Sequence, residues 1–214
     1  MCFNDLDGFF SSIKDEEYIV LRNYEEYDND RFLDNHPDID ILCSNVKAIL
    51  KRTKMQPRGR KDDGLHYMTI INQKKVPIDL RHIGDGYYDE KMERDVLRNR
   101  IKQNSYYIMN DEDYFYTLLY HAVVHKGFVS ADYLERLRKL GDKIGVNYNI
   151  LDSGGLLDDY MRGKRYFYTY PKAWSTVAHF DNVDKSLVRF SFLHFLRTIR
   201  SKVGKISKSI LGKR

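Results

Sequence analysis

Apolar residues recur along this chain with two periods, and the two periods separate its helices from its strands. Leu6, Phe9, Phe10 and Ile13 follow helical spacing, which predicts a short helix over residues 4–14 with Asn4 as its cap. YIVLR (18–22) reads as a strand, and beyond a polar, acidic stretch DIDILC (38–43) reads as another. Ser44 or Asn45 caps a helix running to about Lys54. LHYMTII (65–71), a turn at NQKK and VPIDLRHI (76–83) predict a hairpin. GDG ends it, and YDEKMERDVLRNRI follows as an amphipathic helix.

After Ser105 the pattern turns helical. Asn110 or Asp111 caps DEDYFYTLLYHAVVHKG, which ends at Gly127, and Ser130 caps SADYLERLRKLGDKIG. The stretch LDSGGLLDDYMRGKRYFYTYPKAW is broken by glycines, and a last helical pattern begins near Val183. The fold class read from this pattern is α+β: a small mixed sheet flanked by helices in residues 1–105, then a mostly helical half in 106–214.

Composition narrows the class. Over 214 residues, 42% are hydrophobic and 31% charged, which describes a folded chain with a core. No apolar run approaches the ~20 residues of a membrane-spanning helix. The N-terminus lacks the basic start and apolar stretch of a signal peptide. Two cysteines, Cys2 and Cys43, have no disulfide or metal spacing. These features predict a cytoplasmic protein.

Charge is unevenly spread. The net +5 includes nine Lys/Arg and no Asp/Glu from Lys185 onward, so residues 1–184 carry −4. Such a body does not describe a uniformly basic surface for nucleic acid, and no sequence-specific nucleic-acid partner is expected. The tail sets Leu187, Phe190, Leu193, Leu196, Ile199, Val203, Ile206 and Ile210 at helical spacing among its basic residues. A basic amphipathic helix of this kind lies on an anionic membrane surface or docks on the protein's own body. Peripheral membrane contact through 185–214 is therefore one expectation.

The chemistry concentrates in HPDIDIL (36–42). Residues two apart in a strand share a face, so Asp38 and Asp40 point one way while Ile39 and Ile41 enter the core. VPIDLRHI repeats the arrangement, with Asp79 and Arg81 opposite Ile78 and Leu80. If the two strands are neighbours, three carboxylates and a guanidinium converge. Crowded carboxylates repel unless a cation neutralises them, and their hard oxygens suit Mg2+ or Mn2+. The bland alternative makes Asp38 a strand-edge cap, Asp40 an ion-pair partner and Asp79 the mate of Arg81.

A strand, a polar connection, an hDhDh strand and a third aspartate on a later strand together resemble the nucleotidyltransferase fold of polymerase-β type. VLRNYE, HPDIDIL, VPIDLRHIGDGYYDEKME and YFYTLLYHAVVHK also resemble a branch of that superfamily associated with surface-glycan genes. The likeness covers roughly residues 15–130. It implies that Asp38, Asp40 and Asp79 are the catalytic metal ligands. In that superfamily three aspartates bind two metal ions and align a nucleoside triphosphate for attack by an acceptor. One feature departs from the pattern: the Gly-Ser pair expected after the first strand is replaced by Leu21-Arg22-Asn23. Arg22 and Asn23, with Arg81, are then the expected phosphate contacts, guanidinium being well shaped for phosphate.

The expectation is a metal-dependent nucleotidyltransferase-like enzyme that moves a nucleotidyl or other phosphoryl-type group onto a small acceptor in glycan biosynthesis. Its alternatives are a non-catalytic relative binding a nucleotide or partner, and a DxD glycosyltransferase. The last normally places a nucleotide-binding region of about a hundred residues before the motif, and here 37 precede Asp38. GDG is read as a turn from which Asp85 or Tyr87 reaches the same cleft. His121 and His125, four apart, are read as core or as hydrogen-bonding support, and Lys126 as a phosphate contact or a helix-end charge.

Overall fold

The computed structural model describes residues 2–27, 38–173 and 175–191. Among them the chain is α+β, an eight-stranded mixed sheet with six α-helices. The strands are β1 (Cys2–Phe3), β2 (Tyr18–Val20), β3 (Ile39–Cys43), β4 (Gln56–Pro57), β5 (His66–Ile71), β6 (Lys74–His82), β7 (Ile101–Gln103) and β8 (Tyr106–Ile108). Their spatial order is β1-β5-β6-β3-β2-β8-β7, with β4 beside β5.

The centre of this sheet positions the site. β3 and β6 run parallel, and their register sets Asp40 beside Asp79 and Ile41 beside Leu80. Ile39, Ile41 and Ile78 are fully buried and Leu80 nearly so, as period-two alternation demands. One strand face is thus core and the other carries the aspartates. β2 pairs antiparallel with β3, and the Leu21 N–H extends that ladder by donating to the Asp40 carbonyl at 2.9 Å. Arg22 therefore leaves the sheet beside Asp40.

The expected hairpin is β5–β6, with Asn72 and Gln73 both at positive φ, as a two-residue turn matching strand twist requires. A second hairpin, β7–β8, went unread in the sequence because its strands have three residues each. It turns at Asn104 with φ +50°. β8 pairs with β2, so the sheet draws on residues on both sides of 105.

The helices are α1 (Leu6–Ser12), α2 (Val46–Thr53), α3 (Glu90–Arg98), α4 (Asp111–Tyr120), α5 (Ala131–Ile144) and α6 (Ser153–Lys164). Asp5, not Asn4, caps α1, its side chain accepting from the Gly8 N–H. Asn45 caps α2, Asp89 caps α3 and Asn110 caps α4. A π-helical turn, His121–Lys126, continues α4 to Gly127. Sequence periodicity cannot show such a turn, since it departs from the α period by one residue.

Two expectations are corrected. The glycine-rich stretch near 154 is helix α6, not a broken segment. Gly154 sits in its first turn because the chain crowds it: a Cβ there would strike the Asn182 carbonyl, whereas one on Gly155 would meet only the movable Asp152 carboxylate. The pattern near Val183 is not an α-helix as far as Ser191. Lys185–Leu187 form a 3-10 turn capped by Asp184, and Val188 bridges Tyr168. Tyr168 donates to the Leu187 carbonyl at 2.8 Å and accepts from the Arg189 N–H at 2.9 Å, and this pairing holds the backbone extended. The amphipathic tail beyond Ser191 lies outside the described residues.

GDG is the strand-to-helix turn expected of it, with Gly84 at φ +79° and Gly86 at φ +78°. A Cβ on Gly86 would also stand 2.5 Å from the Tyr170 carbonyl oxygen. Gly86→Ala should cost about 1–3 kcal/mol in urea unfolding, through the left-handed backbone and the forced shift of residue 170. A loss under about 0.5 kcal/mol would show that the turn adapts freely.

Candidate functional site

Asp38, Asp40, Asp79, Arg22, Asn23 and Arg81 all line one cleft of about 480 Å³. The sequence singled out these six from three separate segments, and the sheet brings them together. The opposite wall comes from Tyr87, from His121, His125 and Lys126, from Tyr133 on α5, and from the strap 175–179.

Asp38 is exposed, just ahead of β3, while the Asp40 and Asp79 side chains keep only 13% and 28% of their exposure. Burial, and then the neighbouring Asp40 charge, raises the Asp79 pKa above the ordinary carboxylate value. Asp79 also stands 3.9 Å from His66 Nε2, an imidazole held at 2.6 Å by Asp63.

Arg22 points into the cleft. Its Nη2 lies 2.7 Å from Asp40 Oδ2, and its Nη1 donates to the Tyr87 hydroxyl at 2.7 Å. The same Nη1 is 3.2 Å from His121 Nδ1, which is itself 2.7 Å from the Tyr87 oxygen. A guanidinium only donates, so His121 Nδ1 is the bare acceptor and its proton sits on Nε2. Tyr87 then accepts from Arg22 and donates to His121. Burial opposes the Arg22 charge, but Asp40, followed by the tyrosines around it, holds its pKa well above the usual arginine value.

Asn23, with φ +61°, accepts at Oδ1 from Arg136 at 2.7 Å. Arg81 lies over the Tyr87 ring, 4.1 Å from its centroid, and donates to Thr176 Oγ1 at 2.8 Å. Asp85 is 3.5 Å from Arg81 Nη1 and accepts from the Tyr87 N–H at 2.7 Å, so it fastens the turn rather than lining the cleft. Beneath the turn, Glu93 is fully buried and accepts from the Gly84 and Tyr88 N–H groups.

His121 and His125 are held neutral, their pKa values pushed well below the ordinary imidazole value by burial first and by Arg22 next. His125 Nε2 donates to the Tyr87 carbonyl at 3.0 Å, and its ring lies tilted against Tyr87 with centroids 3.9 Å apart. Both histidines thus support Tyr87, as the hydrogen-bonding reading expected. Lys126 is exposed at the rim.

Thr176, His179 and Tyr133 were not legible in the sequence. The strap crosses the cleft because His179 N–H donates to the Val124 carbonyl at 2.7 Å, and no local pattern announces that contact.

No family model matches the chain, and neither a curated protein nor a solved structure is found to match it. No helix among the described residues is long and apolar enough to cross a membrane. Also among the described residues, no group of three or more His, Cys, Asp or Glu is gathered as a metal-ligand set. Asp40 and Asp79 form a pair, and Mg2+ commonly takes one or two carboxylates and completes its shell with water and phosphate oxygens. The donor chemistry fits such an ion.

Proposed function

We propose that the chain is a metal-dependent transferase of nucleotidyltransferase type that moves a nucleotidyl group from a nucleoside triphosphate to a small acceptor, with glycan biosynthesis as its setting. The observation that carries this reading is the lateral pairing of Asp40 with Asp79 across parallel strands, in a cleft that also holds Arg22, Arg81 and Lys126. Carboxylates suit a divalent cation, and the basic groups suit the phosphates it accompanies.

In this reading Asp40 and Asp79 would hold Mg2+ or Mn2+, which when bound would supply charge neutralisation for the phosphates, and Asp38 lines the same cleft. Arg81 and Lys126 draw the triphosphate into the cleft beside Arg22 and Asn23. The acceptor oxygen attacks the α-phosphorus, the bond from that phosphorus to the bridging oxygen breaks, and pyrophosphate leaves. The hydroxyl proton would pass to solvent as the acceptor oxygen attacks.

Thermal melts with each nucleoside triphosphate, with and without Mg2+, test this. A ligand at about 100 times its Kd stabilises by about 2.7 kcal/mol, a rise of several degrees. The rise should require Mg2+ and vanish in Asp79→Asn. Absence of any shift with every triphosphate at millimolar concentration sinks the reading. A second reading, a non-catalytic nucleotide binder, is favoured by the engagement of Asp40 with Arg22. It predicts a shift of equal size without Mg2+.

A further inference from the structure

We propose that Arg22 is a built-in cation on Asp40, so that the cleft takes up one divalent ion and not two. The inference rests on the metal reading given above and departs from the two-ion arrangement that the resemblance implies. A carboxylate that serves two ions must give an oxygen to each. Here Asp40 Oδ2 is already taken by Arg22 Nη2 at 2.7 Å, which leaves Oδ1.

Arg22 is not free to withdraw. Its other terminal nitrogen donates to Tyr87, within reach of His121, and those partners are held in turn by His125 and Asp85. The side chains of Arg22 and Asp40 keep only 11% and 13% of their exposure, so solvent screens the pair weakly. A dication on Oδ2 would meet a fixed positive charge at contact distance. On the Asp79 side, the register sets a second carboxylate beside Asp40, and among the described residues no guanidinium is paired with it.

The substitution of Leu21-Arg22-Asn23 for a Gly-Ser pair thereby acquires a consequence. A small flexible pair leaves the Asp40 carboxylate open, whereas an arginine supplies one positive charge in a fixed place.

Counting Mn2+ bound to the full chain by electron paramagnetic resonance, up to millimolar metal, tests this without any activity assay. The wild-type chain should bind one ion, Arg22→Lys one, Arg22→Gln two and Asp79→Asn none. In Arg22→Gln, Mn2+ should also raise the melting temperature more than in wild type, because it replaces the lost charge. Two ions in the wild type, or one in Arg22→Gln, overturns the inference while leaving the metal reading intact. No ion in either removes the metal reading and the inference with it. Should Arg22→Gln fail to fold, the wild-type and Arg22→Lys counts decide alone.

Discussion

Arg22→Ala should lower the free energy of unfolding by about 3–5 kcal/mol, measured by urea titration in metal-free buffer. Breaking a largely buried ion pair from one side leaves the other charge desolvated and unpaired, and that penalty exceeds the net worth of the pair. Asp40 would lose its ion-pair partner among the described residues, and Tyr87 the donor to its hydroxyl. The double variant Arg22→Ala/Asp40→Ala should recover part of the loss, since it removes both charges, giving a coupling energy of about 1–3 kcal/mol. A loss below about 1 kcal/mol for Arg22→Ala would place the pair with solvent-screened surface bridges. Arg22 would then be neither a fixed countercharge nor a support for Tyr87.

Glu93→Gln should change sign with pH. Burial, and then the Asp85 charge, pushes the Glu93 carboxyl up to about 8, against the opposing pull of the Gly84 and Tyr88 N–H groups. In the unfolded chain the same group titrates near ~4.3. Between these values the folded protein holds a proton that the unfolded chain has released. The stability Glu93 contributes is therefore fully present below about pH 4 and is lost as pH rises toward about 8. Relative to wild type, Glu93→Gln should gain on the order of 3 kcal/mol between pH 5 and pH 8.

His121 and His125 act in the opposite sense. They are neutral in the fold and lose stability below their unfolded value of ~6.5. Their effect is common to both proteins and cancels in the difference, which is why the difference curve is the measurement of choice. A flat difference would mean that Glu93 is ionised in the fold. The functional interest is that Glu93 braces the turn that delivers Tyr87 to Arg22.

What the sequence determined by itself is the set of local alternations. Asp38, Asp40 and Asp79 stand out because a carboxylate in an apolar strand violates β-propensity, and the alternation around each fixes its face. The β5–β6 hairpin follows from side-chain chemistry within a few residues, and so do the two caps to within one residue, Asn45 over Ser44 and Asn110 over Asp111 being decided by the structure. The tertiary structure alone decided which strands are neighbours. That β3 lies against β6 in a register setting Asp40 beside Asp79 depends on pairing across 39 residues of chain, and no local pattern encodes it.

The same holds for the partners of Arg22. Its fork joins residues 40, 87 and 121, which meet because the GDG turn and the π-helical turn bring Tyr87 and His121 to the end of β2. Short strands such as β7 and β8 escaped notice because three residues carry too little alternation to be told from a loop. The glycines of α6 misled for a related reason. They oppose helix formation locally, and Gly154 fits because the Asn182 backbone packs where a side chain would stand, a steric demand made by a distant part of the fold.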